Sequence, residues 1–191
     1  MKSELFDEID WIKNYFEGKI NYEFESIESI RNFALLWNMF EAIGCNKEAK
    51  NTSIESFVDK INKTILIDKN EFMFFIDFTK HRYVDESGNI KSIFDRLNFK
   101  SEIDKKRVHE VLIGTNEDDK EVLKALLFIV LRLRNNLFHG EKNIVTLNIQ
   151  ENCFNTANKF IAKCLDLHKE AMKKNHNKFN INVIECKPPI L

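Results

Sequence analysis

The stretch Leu131-Arg-Leu-Arg-Asn-Asn-Leu-Phe-His-Gly-Glu-Lys142 gathers two arginines, two asparagines, a histidine and a lysine at the end of a strongly apolar segment. Arginine carries a permanent charge and a planar fork of donors that matches phosphate oxygens. Histidine titrates near neutral pH and can take a proton from a hydroxyl or give one to a leaving oxygen. Arg134 and His139 therefore suit phosphodiester cleavage in which the 2′-hydroxyl of RNA attacks its own phosphate, a reaction that needs no metal. Asn135 and Asn136 can hold the local backbone or bind phosphate oxygens. Arg132 and Lys142 can extend a phosphate-binding surface. Each has a plainer alternative: a cation at a helix C-terminus is favoured by the dipole, a histidine can cap a helix end, and surface cations are commonly just solvated. Spacing alone leaves both readings open.

The spacing does set one condition. Five positions at about 100° each put Arg134 and His139 about 140° apart on a regular helix. Either the chain leaves helical geometry before His139, which Gly140 permits, or a second copy completes the site.

The elements that must position these residues are helical. The chain of 191 residues holds 5 Gly, 2 Pro and 17 Phe, where average usage would give roughly 13 Gly and roughly 10 Pro. So few turn formers argue against sandwiches, barrels and bladed repeats. No Gly-rich phosphate loop occurs. Apolar periodicity predicts helices over 4–17, ended by Gly18, and over a segment capped by Ser26 or Ser29. The latter carries Ile30, Phe33, Ala34, Trp37, Phe40 and Glu41 on one stripe and stops at Gly44. Glu41, one turn beyond Trp37, either reaches the Arg134–His139 region or is a solvated residue at the stripe's edge. Further helices are expected over 53–66, 70–81, 90–98 and 102–113, with Asp85 to Asn89 as a loop. This middle block, roughly 50–115, reads as an insertion in a smaller bundle.

Thr115-Asn-Glu-Asp118 matches a helix-start pattern. Val122, Leu126, Ile129, Val130, Leu133 and Leu137 then form one row, and Leu123, Leu127 and Leu131 a second. A helix apolar on two sides is central to its bundle or lies between chains. Residues 144–149 are a strand candidate. A last helix is expected over 150–173, with Phe154, Ala157, Ile161, Leu165, His168 and Met172 on its inner face. His168 is expected to pack in the core, and residues 176–191 to form a loosely held tail.

Lys+Arg number 29 and Asp+Glu 30, so no global basic field points to nucleic acid. Lys105-Lys-Arg107 is a local basic cluster with a solvated helix end as its plain reading. Cys45, Cys153, Cys164 and Cys186 are far apart and suggest reduced, mostly buried thiols. His81, His109 and His176 lack ligand-like neighbours, so no metal or other cofactor is expected. The charged N-terminus is no signal peptide, and no apolar run approaches a membrane span, so a cytoplasmic protein is expected.

Arg134-Asn-Asn-Leu-Phe-His-Gly-Glu-Lys142 resembles the R-x(4–6)-H signature of the HEPN superfamily, the higher eukaryote and prokaryote nucleotide-binding domains. The Asn135 that follows the arginine, and the position at the end of a long helix, are similar to that family's pattern. Phe33-Ala-Leu-Leu-Trp-Asn-Met-Phe-Glu41 resembles an earlier helix of these proteins. The likeness covers residues 26–45 and 117–173. It implies an all-α bundle over residues 1–175 that forms a homodimer with two motifs lining one cleft. It further implies a metal-independent endoribonuclease of a toxin or antiviral defence system, leaving 2′,3′-cyclic phosphate ends and held in check by an antitoxin such as a small nucleotidyltransferase. In that reading His139 is the general base or acid, Arg134 stabilises the phosphorane, and Asn135 positions substrate or loop. Some members that have lost the arginine or histidine only scaffold; this chain keeps both. The alternative from another class is a non-catalytic module that binds a nucleotide, RNA or a partner protein.

Overall fold

The computed structural model describes residues 7–19, 24–139 and 150–175. Among them the secondary structure is helical with no strand, so the chain is all-α. The strand candidate at 144–149, the terminator Gly140, Lys142, Cys186, His176 and the tail at 176–191 lie outside the described residues.

The helices are α1 (Glu8–Tyr15), α2 (Phe24–Gly44), α3 (Asn51–Asn62), α4 (Met73–Tyr83), α5 (Glu102–Leu112), α6 (Asp119–Phe138) and α7 (Glu151–Lys174). Two 3-10 segments, Lys69–Phe72 and Ser92–Leu97, precede α4 and α5. α1 begins on Asp7, whose carboxylate accepts the Asp10 N–H at 2.9 Å, and ends where Glu17 and Gly18 turn left-handed. No residue of α1 is fully buried, and Glu8 pairs with Arg31 of α2. α2 starts before either expected cap, and Ser29 lies buried inside it, its carbonyl accepting from Asn158 Nδ2 of α7 at 2.8 Å.

α6 is the centre. Every residue from Val122 to Leu133 is buried, which selects the central reading of its two apolar rows. Its cap is Asp118, whose side chain accepts from the Lys120 and Glu121 N–H groups at 3.1 and 3.0 Å. Thr115, the expected start, instead donates to the Glu110 carbonyl and closes α5. Asp118 wins because the following N–H groups are within reach of its short carboxylate.

α3 and α5 pack on α6, while α2 and α4 pack on α7. Residues of the middle block, among them Ile54, Phe57, Phe72, Phe75, Phe94 and Leu112, join the same core as α2, α6 and α7. The rings interlock: Phe75 stacks on Phe160 at 4.4 Å, Phe33 meets Phe154 edge-on at 5.1 Å, and Phe40 meets Phe57 at 5.0 Å. The inner face of α7 is rotated from the expected one. Phe154, Ala157, Phe160, Ile161, Cys164, Leu167 and Ala171 are buried, whereas Leu165, His168 and Met172 are half-buried. Cys45, Cys153 and Cys164 are buried free thiols, and burial pushes the Cys45 thiol up to about 11.

Gly44 ends α2 for a packing reason. The left-handed residues are Asn46 and Lys47, two positions on. A Cβ at Gly44 would stand 2.8 Å from Cδ2 of the buried Phe57 ring. Phe40 and His168 hold that ring from other sides. Gly44→Ala is therefore expected to destabilise the fold by about 1–3 kcal/mol despite alanine's better helix propensity. Urea unfolding measures this, and an unchanged or raised midpoint contradicts the packing account.

His168 stacks on Phe57 at 5.8 Å, and burial, with a smaller push from Lys60, holds its pKa below the ordinary value. The fold thus favours the neutral ring. Below about pH 6.5 the unfolded chain takes up the proton first, so stability falls as pH drops through the depressed folded-state value. His168→Phe should remove this part of the acid sensitivity in unfolding curves recorded from pH 7 to pH 5.

Candidate functional site

The proposed motif begins inside the core and ends in solvent. Arg132 is 8% exposed and its Nε donates to the Leu97 carbonyl at 2.8 Å. Asn136, one turn on, is 3% exposed and its Nδ2 donates to the Arg96 carbonyl at 2.7 Å. These two side chains hold the end of the 3-10 segment Ser92–Leu97, where Asn98 turns left-handed with φ 52°. The Arg96 and Leu97 carbonyls thus take side-chain donors from α6. The expectation that Arg132 extends a phosphate-binding surface is corrected: its guanidinium is enclosed between α6 and the middle block. Asn136 likewise holds backbone and is too buried to reach a phosphate.

Arg134 and Phe138 occupy the other face of the same turns. The Arg134 side chain is 30% exposed. Its Nη1 donates to Asn135 Oδ1 at 3.2 Å, and its Cζ lies 5.2 Å over the Phe138 ring. Nη2 is 3.9 Å from Oε2 of Glu41, whose Oε1 accepts the Ala49 N–H at 3.3 Å. Glu41 therefore faces Arg134. At 3.9 Å the pair is at the edge of contact and is not bidentate. It orients the guanidinium while leaving donors for another acceptor. Asn135 is half-buried and serves as the local acceptor for Arg134.

His139 is exposed, and its backbone N–H still donates to the Asn135 carbonyl at 3.0 Å. The helical hydrogen-bond pattern thus runs to His139, and unwinding before it does not occur. Within one chain, the two side chains leave the helix about 140° apart. Phe138 is 53% exposed and packs on Arg134. Its spacing of four from Arg134 was the available signal, since such pairs share a helix face.

The basic cluster at 105–107 serves the fold. Lys105 pairs with Asp95 at 2.9 Å and Lys106 with Glu110 at 3.8 Å. Arg107 bridges Glu55 of α3 and Glu121 of α6. Among the described residues no group of three or more His, Cys, Asp or Glu is arranged to hold a metal ion, and no helix is long and apolar enough to cross a membrane. Comparison of the chain with protein-family models, with curated proteins and with solved structures gives no match.

Arg132→Ala should lower the unfolding free energy by about 2–3 kcal/mol, because a charge-assisted buried hydrogen bond is lost and the Leu97 carbonyl is left without its donor. Arg134→Ala, at the rim, should change it by less than about 1 kcal/mol. Equal losses in denaturant unfolding contradict this division of the motif.

Proposed function

We propose that this chain is a HEPN-type, metal-independent endoribonuclease acting as a homodimer in a cytoplasmic toxin or antiviral defence role. The observation that carries this reading is the meeting of Glu41 and Arg134. The two segments with HEPN resemblance, remote in sequence, come together at one surface. There the acidic residue of the earlier helix faces the arginine of the R-x4-H motif. Around them stand a guanidinium with donors to spare and an exposed histidine, both suited to a phosphate.

In this mechanism Arg134 binds the non-bridging oxygens and opposes the charge that grows on the phosphorane. His139 takes the proton of the 2′-hydroxyl. The 2′-oxygen forms a bond to phosphorus while the bond to the 5′-oxygen breaks, and that oxygen leaves with the proton that His139 then gives up. The products are a 2′,3′-cyclic phosphate and a 5′-hydroxyl. The divergence of Arg134 and His139 on one helix makes the second copy part of the chemistry, with arginine from one chain and histidine from the other facing one phosphate. Lys142 extends the basic rim in this reading, and a partner such as a small nucleotidyltransferase serves as the antitoxin. The same divergence favours a second reading, a non-catalytic module. A lone chain can hold phosphate on Arg134 without bringing His139 to it.

Either Arg134→Ala or His139→Ala should reduce cleavage of total RNA at least 100-fold, with thermal unfolding unchanged and with the wild-type activity insensitive to EDTA. Mixing the two inactive variants should restore part of the activity, since heterodimers then hold one intact composite site. Cleavage unaffected by either substitution overturns the ribonuclease reading. Tight RNA binding with no cleavage by the wild-type chain selects the binding module.

A further inference from the structure

We infer that Phe138 is a stacking platform for a nucleobase next to the phosphate held at Arg134; this rests on the reading of the site as an RNA site. Phe138 is a large apolar side chain with 53% of its area exposed on the last turn of a helix that is otherwise buried for most of its length. The Arg134 guanidinium lies over its ring, with Cζ 5.2 Å from the centroid. That contact fixes the ring's orientation and leaves its exposed area for another flat group. Arg134 and Phe138 touch, so a group bound to the guanidinium lies beside the ring. A strand bound through a phosphate on Arg134 therefore carries a base within reach of the ring.

The surroundings distinguish a base from a protein partner. Among the described residues Phe138 packs on Arg134, which itself meets Asn135 and Glu41; the exposed His139 follows in the chain, and Leu137 packs against the core. Protein interfaces centre on clustered apolar side chains. A single aromatic face set among cationic and amide groups is the pattern of single-stranded nucleic-acid grooves, where stacking tolerates any base. Such a face favours an unpaired strand and reads little of its sequence. In a duplex the base edges and faces are already occupied by pairing and stacking.

The test uses the full chain carrying His139→Ala, so that RNA stays intact. Fluorescence anisotropy compares a labelled single-stranded oligouridylate with an abasic ribose-phosphate strand of the same length. Adding Phe138→Leu should weaken binding of the oligouridylate about tenfold and leave the abasic strand unchanged, while Phe138→Trp should keep the affinity. Equal loss for both strands, no loss for the oligouridylate, or no binding of the oligouridylate before Phe138 is changed overturns the proposal. A fall in molecular mass by light scattering with Phe138→Leu overturns it too, and assigns the ring to contact with a second copy. The ribonuclease reading fails separately. If wild-type protein leaves RNA intact while the anisotropy pattern holds, the chemistry is refuted and the platform stands.

Discussion

Burial of α6 on every side from Val122 to Leu133 constrains everything around it. A helix so enclosed needs neighbours on its whole circumference, and α3, α5 and the 3-10 segments supply part of that shell. It also offers chemistry only at its ends, because the groups between are withdrawn from solvent. At its N-terminal end Glu121 and Lys124 join Arg107, Glu55 and Asp59 in an ion-pair network across three helices. At its C-terminal end the polar residues emerge in two directions. The network and the motif are thus the two polar terminations of one apolar rod.

The middle block has a matching role. Its 3-10 segment Ser92–Leu97 ends in a left-handed asparagine, which leaves the Arg96 and Leu97 carbonyls turned toward α6. Asn136 and Arg132 supply the missing donors. Burying such carbonyls without donors would forfeit on the order of 1–3 kcal/mol each. The last turns of α6 are therefore fastened from behind by residues far away in sequence. This fastening fixes the platform on which Arg134 stands, while Glu41 orients its guanidinium from the front.

Much of this is legible in the sequence, and the misses have physical causes. Apolar periodicity places α2, α4, α5, α6 and α7 close to their observed spans, and it marks α6 as central because it is apolar on two rows. Glu41 at the edge of the α2 stripe could be recognised as a candidate, but its partner could not, since nothing local links residues 41 and 134. α3 runs over Asn51–Asn62 where 53–66 is expected. Ser53 lies inside its first turn and accepts the Lys50 N–H at 2.9 Å. Arg132 reads as a surface cation because residue type predicts exposure. Only the left-handed turn at Asn98, in a distant segment, creates the buried carbonyl that it serves. Phe138 stands exposed on an otherwise apolar helix because it shares a face with Arg134.

Arg132 and Asn136 form one stripe and Arg134 and Phe138 another, interleaved on the same turns. Their directions are tied to the helix start at Asp118 and to every side chain between. Insertion of a single residue within α6 would turn the whole end by about 100°, unpairing the inward stripe and aiming the outward one elsewhere. The length of α6 is therefore a fixed dimension of this protein. Chains that share its architecture are expected to differ by insertions and deletions in the loops, at 85–89 for example, and to keep the count from Asp118 to Arg134 unchanged.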